Sequence, residues 1–312
     1  MSFAVSRTTW LLLAPAALLL GVVAYRAAVP RTAAPAAPAS AVAAVAPDLT
    51  RAPPEQRPSS AVPGLAHAAP SDRRAALERS PDLYRSAQQL SAAVAQGDAD
   101  ASWLLSRIYD YCAGYAMDPA GFAADTRAIG AAQLPLSARM VAARARVGQR
   151  CAGFVPGDGL TRQAIVAQRV QAARGGNLAA EAALLALGQP LQASADYKRD
   201  LVERVRASGD PDAYMALAPA MGLAARGDDS LDERIAGTQF TELAWQLAAC
   251  RLGLDCGPDS ELMTRYCANG GICSQDPTQD FPSFVYDAAV PRQGTDTMNE
   301  MVNRLMQTGA GS

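Results

Sequence analysis

Six cysteines are the residues of this chain with the widest choice of chemistry, and four of them lie together in CRLGLDCGPDSELMTRYCANGGIC, residues 250–273. Zinc sites favour cysteine pairs separated by about two to four residues, and redox sites favour C-x-x-C. Both near pairs here are C-x(5)-C. The spacing therefore favours structural disulfides over a metal site or a redox centre.

Neighbouring cysteines can close short loops, because Gly253 and the stretch 269–271 (Asn-Gly-Gly) supply turns. The disulfides expected on this basis are Cys112–Cys151, Cys250–Cys256 and Cys267–Cys273. A hairpin bent at Gly257-Pro258 would instead join Cys250 to Cys267 and Cys256 to Cys273, and the sequence does not decide between the two arrangements. Paired cysteines are typical of oxidising compartments, so we expect the chain to act outside the cytoplasm.

Histidine sets a limit on catalysis, since His67 is the single histidine of the chain and lies in a Pro/Ala-rich segment. The predicted folded body, residues 73–312, has no imidazole for a nucleophile–base pair or for a metal site. No glycine-rich phosphate loop follows a predicted strand. We therefore predict no catalytic residue, no metal site and no cofactor, and we expect a protein that is not an enzyme.

A cluster of carboxylates, Asp228, Asp229, Asp232 and Glu233, coincides with a predicted capping box formed by Ser230 and Glu233. Acidic residues are normal at a helix N-terminus, where the helix dipole favours them, so we interpret the cluster as capping. The alternative is a glycosidase pair acting on cell wall, which requires one buried acid with a raised pKa opposite a second carboxylate.

Four arginines, Arg139, Arg144, Arg146 and Arg150, fall on one predicted helix and indicate a basic face. A solvated face is the favoured interpretation, and docking of an anion or a partner is the alternative. The whole chain has a net charge of −2 and a pI near 5.5. No overall positive field favours nucleic acid, and we expect none to bind.

The N-terminal region predicts export. Residues 1–26 contain an apolar run from Thr8 to Tyr25 between two arginines, which is typical of a signal anchor or of a cleaved signal peptide. Residues 27–72 are rich in Ala and Pro and poor in large apolar side chains, so they predict a disordered linker. A long spacer suits a tethered protein, which favours an inner-membrane anchor over cleavage.

The remaining residues, 73–312, predict an all-α body of about eleven helices joined by short turns. Expected helix starts include Ser80 as an N-cap with Pro81 in the first turn, the Ser230 box, and a second box formed by Thr297 and Glu300. Expected stops include Gly97, Gly175-Gly176 and Gly209. In the last helix, a stripe of apolar side chains is expected to pack in the core: Met298, Met301, Val302, Leu305 and Met306.

A degenerate repeat appears in GDADASWLLSRIY (97–109), GNLAAEAALLALG (176–188) and GDPDAYMALAPAMG (209–222). This G-[DN]-x-x-A-x-x-x-L pattern is similar to the start of Sel-like repeats, which are tetratricopeptide-related α/α units, and ELAWQLAACRLGLDCG resembles such a unit as well. The resemblance implies stacked helical hairpins, a solenoid-like fold, and disulfides that staple helix pairs, as in exported members of that family. Ala-rich hairpins of no particular family are the alternative.

A second resemblance concerns RIYDYC, residues 107–112, which is similar to the R-x-x-F-D-Y signature of lipase-specific foldases, with one residue less in the spacing. That family also combines a membrane anchor, an Ala/Pro-rich linker and a helical body, so the resemblance implies a steric chaperone.

We expect a non-catalytic scaffold or adaptor module in the bacterial cell envelope, with a periplasmic body tethered to the inner membrane through residues 1–26, or free in the periplasm if that segment is cleaved. Stacked helix pairs form a concave surface suited to an envelope protein or peptide partner. The alternatives are a carboxylate-dependent cell-wall hydrolase and a membrane-anchored steric chaperone.

Overall fold

The structure is a computed structural model that describes residues 70–307, and this part of the chain is all-helical and without strands, as predicted. It contains thirteen α-helices where the sequence indicated about eleven. The predicted membrane segment, residues 1–26, and most of the predicted linker lie outside the described residues. Within residues 70–307, no helix is both long enough and apolar enough to cross a membrane.

The first helices are α1 (Pro70–Glu78), α2 (Leu83–Ala95), α3 (Ala99–Met117), α4 (Pro119–Ala131), α5 (Ser137–Cys151), α6 (Arg162–Arg174) and α7 (Leu178–Ala186). The remaining helices are α8 (Ala195–Ser208), α9 (Pro211–Met221), α10 (Gln239–Arg251), α11 (Glu261–Gly270), α12 (Phe281–Ala288) and α13 (Thr295–Met306). Short 3-10 turns occur at Pro156–Asp158, Leu223–Ala225 and Arg292–Gly294.

The repeated Gly-[Asp/Asn] pairs are turns that start new helices. Gly97, Gly176 and Gly209 have φ values of 83°, 92° and 61°, a conformation that glycine adopts without steric penalty. The side chains of the next residues, Asp98, Asn177 and Asp210, are the N-caps of α3, α7 and α9 and accept backbone N–H groups of those helices. The predicted role of glycine as a helix stop is thus confirmed at these three turns.

The alanine and leucine of the motif pack in the core. Ala101, Ala180 and Ala213 are fully buried, and the leucine four residues after each is buried as well. Small side chains at these positions let α3 pack on α6, and α9 pack on both α7 and α10. Close helix pairing is therefore observed, whereas a regular solenoid repeat stays a prediction.

The predicted start of α2 was wrong. Its N-cap is Asp82, whose carboxylate accepts the N–H of Arg85 at 3.0 Å, and not Ser80. The Ser80 hydroxyl lies 2.8 Å from the hydroxyl of Ser86, so it is engaged elsewhere. A carboxylate two residues further along replaced the hydroxyl as the cap.

Both predicted capping boxes were also wrong. Ser230 lies in a loop, where Asp228 accepts its hydroxyl and its backbone N–H, and no helix follows. The last helix, α13, begins at Thr295 after the turn at Arg292–Gly294, so Thr297 lies inside the helix. The predicted apolar stripe of α13 is confirmed, because Met298, Val302 and Leu305 are buried and α13 packs on α10.

Three disulfides connect the helices: Cys112–Cys151, Cys250–Cys256 and Cys267–Cys273. Each cysteine is bonded to its neighbour in the sequence, which is the arrangement expected from the loop lengths. The first disulfide joins α3 to the end of α5, and the other two close short loops after α10 and within the end of α11. By chain entropy, the longer loop contributes about 4 kcal/mol to stability and each short loop about 2.4 kcal/mol.

Candidate functional site

A groove with a volume of about 640 Å³ lies among α3, α7, α9 and α11 and is lined by both apolar and charged side chains. Its apolar wall includes Trp103, Leu187, Met215, Leu254, Tyr266 and Ile272. The volume falls within the range of roughly 300–1,000 Å³ that is typical of ligand sites. Because several helices converge on this concave surface, the groove is the candidate functional site.

Six charged side chains on the groove wall alternate in sign and form one ion-pair network, which we call the groove network. It runs in the order Asp212, Arg107, Glu261, Arg265, Asp110 and Arg169. At its centre, Arg107 Nη1 lies 3.0 Å from Asp212 Oδ1 and Arg107 Nη2 lies 2.9 Å from Glu261 Oε2. Three guanidinium groups balance three carboxylates, so the network as a whole is neutral.

The network is most open to solvent at Arg265 and Asp110. Arg265 lies 3.7 Å from Glu261 and 3.2 Å from Asp110, and Arg169 lies 3.1 Å from the same Asp110 oxygen. The side chains of Arg265 and Asp110 are 40% and 32% exposed, whereas those of Arg107 and Arg169 are 13% and 9% exposed. The accessible pair is therefore flanked by a buried guanidinium group on each side.

Four helices position these side chains. Arg107 and Asp110 come from one face of α3, and Glu261 and Arg265 lie one turn apart on α11. Asp212 and Glu261 occupy the first turns of α9 and α11, where the helix dipole favours a carboxylate. The network thus joins α3, α6, α9 and α11 around the groove.

Two carboxylates of the groove network, Asp110 and Glu261, remain ionised. Burial acts to raise the pKa of Asp110 and of Glu261, but the neighbouring guanidinium groups outweigh it and lower both pKa values below their usual range. Carboxylates with lowered pKa values do not donate protons near neutral pH. The network is therefore suited to holding shape and charge and not to acid catalysis.

Glu78 behaves differently from the network carboxylates. It is the last residue of α1, lines the groove, and has a side chain that is 11% exposed. The nearest cation is Arg74, whose Nε lies 4.0 Å from Glu78 Oε1, and this oxygen accepts no hydrogen bond from any residue in the described range 70–307. Burial raises the pKa of Glu78 to about 7, with Arg107 opposing the shift and Asp212 adding to it. This carboxyl exchanges its proton near neutral pH.

The two short disulfides shape the rim of the groove. The loop closed by Cys250–Cys256 contributes Leu254 and the exposed Asp255, and the loop closed by Cys267–Cys273 contributes Ile272. Each loop is anchored covalently to the helix before it. The rim residues are therefore held in place on a part of the surface where the backbone is not helical.

A second cavity of about 500 Å³, which we call the side pocket, adjoins the groove. Its walls are mainly apolar and include Ala113, Met117, Leu160, Ile165 and Val166. Three residues line both cavities: Asp110, Arg169 and Leu187. The side pocket and the groove therefore meet at the Asp110–Arg169 pair of the groove network.

Two buried donors near this junction have no hydrogen-bond acceptor among residues 70–307. They are the indole Nε1 of Trp103 and the Nε of Arg169, in residues that are 6% and 8% exposed. The guanidinium of Arg169 lies over the Trp103 ring, with its central carbon 5.8 Å from the ring centroid. Buried donors are normally satisfied, so unpartnered ones at a cavity wall call for an explanation.

Of the residues singled out from the sequence, the RIYDYC segment contributes to the groove. Arg107 and Asp110 belong to the groove network, whereas Tyr109 is buried on the other side of α3 with its ring 6.3 Å from that of Phe154. The six cysteines lie outside both cavity linings, and the two short loops closed by Cys250–Cys256 and Cys267–Cys273 contribute residues to the groove.

The predicted basic face was wrong. Arg139, Arg144, Arg146 and Arg150 are half-buried, and each binds a neighbouring segment. Arg150, for example, donates to the carbonyl groups of Leu77 and Ser80, and Arg144 lies 3.8 Å over the Phe122 ring. These guanidinium groups fasten α5 to its surroundings instead of forming a solvated surface.

The carboxylate cluster at residues 228–233 does not meet the requirement for a general acid. Lys198 pairs with Asp228 and, with the Ser230 hydroxyl, lowers its pKa to about 2. Arg234 donates hydrogen bonds to Asp232 and lowers its pKa as well. Neither carboxyl carries a proton near neutral pH, and the cluster lies outside the groove and the side pocket.

The sequence-based search for a site missed Glu78, Arg169, Asp212, Glu261 and Arg265. These residues come from four helices and are separated by up to nearly 190 positions, so no local motif joins all of them. One available signal was a charged residue within an otherwise apolar helix face, as at Arg107. Within the described range, no group of three or more His, Cys, Asp or Glu side chains is arranged to hold a metal ion.

Comparison of the chain with protein-family models, curated proteins and solved structures found no match. The resemblance to Sel-like repeats therefore rests on the quoted motifs alone.

Proposed function

We propose that this chain is a non-catalytic binding module of the bacterial cell envelope, with a periplasmic body tethered to the inner membrane, and that it holds a polypeptide segment of a partner protein in the groove. The observation that carries the proposal is the composition of the groove wall, where an ion-pair network without net charge lies beside apolar side chains. A wall of this kind suits a polypeptide, which presents apolar side chains and a polar but uncharged backbone.

Two further features support the proposal. Three disulfides fit an oxidising compartment outside the cytoplasm, in line with the predicted export segment. The ion pairs of the network and the two disulfide-closed loops constrain the groove wall before a ligand arrives, which lowers the entropic cost of binding.

The test is site-specific photocrosslinking in intact cells. The full-length chain carries p-benzoylphenylalanine in place of Ile272 on the groove rim, and a matched control carries it in place of Leu223, which lies outside both cavity linings. These two residues are similarly exposed, at 53% and 54%. We expect one dominant adduct from the groove position, whose crosslinked peptide maps to a defined segment of another envelope protein.

Equal labelling from Ile272 and Leu223, or no adduct from the groove position, would contradict the proposal. A partner that crosslinks through folded surfaces on several of its faces would point to a scaffold contact outside the groove.

A carboxylate-dependent cell-wall hydrolase is the second candidate, and the Glu78 carboxyl is the observation that favours it. A buried acid with a pKa of about 7 beside Asp212 has the protonation behaviour of a general acid. The change Glu78→Gln separates the two candidates: it abolishes release of soluble fragments from purified wall if the chain is a hydrolase, and it leaves the groove photoadduct in place if the chain is a binding module.

A further inference from the structure

We propose that the groove and the side pocket form one bipartite site, in which a peptide segment lies along the groove, places one large apolar side chain in the side pocket, and accepts hydrogen bonds from Trp103 and Arg169 with a backbone carbonyl. This inference rests on the proposed function, because it defines which polypeptide segment the groove selects.

The groove and the side pocket are continuous with each other. Asp110, Arg169 and Leu187 line both cavities, so a ligand in the groove passes directly by the wall of the side pocket. Exposed apolar side chains stand at the outer edge of each cavity: Ile272 on the groove and Met117 on the side pocket. An extended peptide offers side chains on alternate sides, so one can enter the pocket while its neighbours follow the groove.

The lining of the side pocket determines which kind of side chain it binds. Apart from the Asp110–Arg169 pair and the exposed Thr161 and Arg162 at its edge, its lining is aliphatic. Apolar side chains gain most from leaving water for such a cavity. The volume of about 500 Å³ leaves room for a large apolar side chain such as Leu, Met or Phe, which buries more apolar surface than a small one.

The junction is the place where the groove and the side pocket meet, at Asp110, Arg169 and Leu187. Over the whole groove network, three guanidinium groups balance three carboxylates, so the network carries no net charge for an ion to neutralise. The junction does leave two donors, Trp103 Nε1 and Arg169 Nε, without acceptors among the described residues. A neutral carbonyl oxygen satisfies both requirements, since it accepts hydrogen bonds and brings no charge. Both donor atoms are inaccessible to solvent in the free protein, so this contact requires the Trp103 and Arg169 side chains to move as the ligand enters.

The experiment uses the full-length oxidised chain in detergent and a library of immobilised dodecapeptides of random sequence. We expect the wild-type protein to enrich peptides with one large apolar residue at a fixed place, and to bind each enriched peptide about tenfold more tightly than its counterpart with alanine at that place. Ala113→Phe fills the side pocket, Ala216→Phe fills the groove, and Ala124→Leu on the exposed face of α4 is the matched control.

The filled side pocket should abolish the tenfold preference while weak binding remains, the filled groove should abolish binding, and the control should change neither. Trp103→Phe tests the junction separately. Because its N–H has no acceptor in the free protein, this change removes no hydrogen bond from the free protein, and in the folded variant it should weaken the enriched peptides about two- to tenfold.

The outcomes separate the two proposals. Enrichment of no peptide by the wild-type protein overturns the proposed function itself. Enrichment without an apolar preference, or a preference that survives Ala113→Phe in a variant with wild-type stability, overturns the bipartite site and leaves the groove as a peptide site. Unchanged affinity in Trp103→Phe overturns the carbonyl contact alone.

Discussion

The molecule has two acidic regions that differ in how their carboxylates are held. In the loop at residues 228–233, the carboxylates are adjacent in sequence and lie at or near the surface, where Lys198 and Arg234 lower the pKa values of two of them. In the groove, the carboxylates are scattered through the sequence and lie at least partly buried among guanidinium groups, with Glu78 apart at a pKa of about 7. The carboxylates that are neighbours in the sequence thus lie outside the groove, whereas those that meet in the groove are far apart in the sequence.

The comparison shows that burial away from water determines which of the two acidic regions can have a functional role. An exposed carboxylate gains little from a partner because water already stabilises it. A buried carboxylate depends on its partner or gives up its charge. The three predictions that follow test this difference, beginning with the largest effect.

The largest effect is expected from removing the central cation of the groove network. Arg107→Met leaves Asp212 and Glu261 buried and without their main partner, which should lower the free energy of unfolding by about 3–5 kcal/mol. Lys198→Met is the matched control, since it breaks the more exposed pair with Asp228 and should cost about 0.2–1 kcal/mol. Urea denaturation of the oxidised proteins measures both, and a difference below about 1 kcal/mol would show that the two regions are held alike.

The second effect is a pH dependence of opposite sign in the two regions. The pKa of Glu78 is raised from 4.5 to about 7 in the folded chain, so its stabilising protonation is complete below pH 4.5 and is lost as the pH rises through 7. Each pH unit in this window is worth about 1.4 kcal/mol, which gives at most about 3 kcal/mol. Glu78→Gln should therefore stabilise the protein at pH 8 by up to that amount and should change little at pH 4.5.

The counterpart in the loop is Asp228, whose pKa is lowered from 3.8 to about 2. Its stabilising contribution is present above pH 3.8 and is lost as the pH falls toward 2. Asp228→Asn should cost less than about 1 kcal/mol at pH 7 and progressively less in acid. Unfolding free energies measured from pH 3 to pH 8 for both variants would contradict this comparison if the two profiles had the same slope.

The smallest effect is expected from the exposed carboxylates Asp229 and Glu233, which have no hydrogen bond or ion pair among the described residues. The double change Asp229→Ala and Glu233→Ala should alter the free energy of unfolding by less than about 0.5 kcal/mol and should leave the groove photoadduct unchanged. Loss of the adduct in a stably folded variant would move the functional surface to this loop.

Much of the fold could be predicted from the sequence because its signals are local. The glycines at 97, 176 and 209 require a left-handed backbone, and the Asp or Asn after each caps the next helix, so three helix boundaries are readable in a few residues. The disulfide pairing is also local, since short loops bring neighbouring cysteines together. The helical class and the buried stripe of α13 follow from the spacing of apolar residues alone.

The capping errors show where local reasoning stops. At Ser230 the expected cap failed because Asp228 Oδ1 accepts both the hydroxyl and the backbone N–H of Ser230, while the other oxygen of Asp228 pairs with the distant Lys198. The groove network depends on distant partners throughout, since Arg107 pairs with residues more than 100 positions away. Such partners are set by helix packing, which no window of sequence contains.

The order of the disulfides along the chain has a consequence for how the protein matures. Each bond joins two consecutive cysteines, so none requires a cysteine to pass over a later one. A chain that enters an oxidising compartment N-terminus first can complete Cys112–Cys151 before Cys250 emerges, and can complete each later bond within seven residues of chain. Stepwise oxidation alone produces the native pairing, and the groove rim is assembled last, by the final two bonds, without any reshuffling of earlier ones.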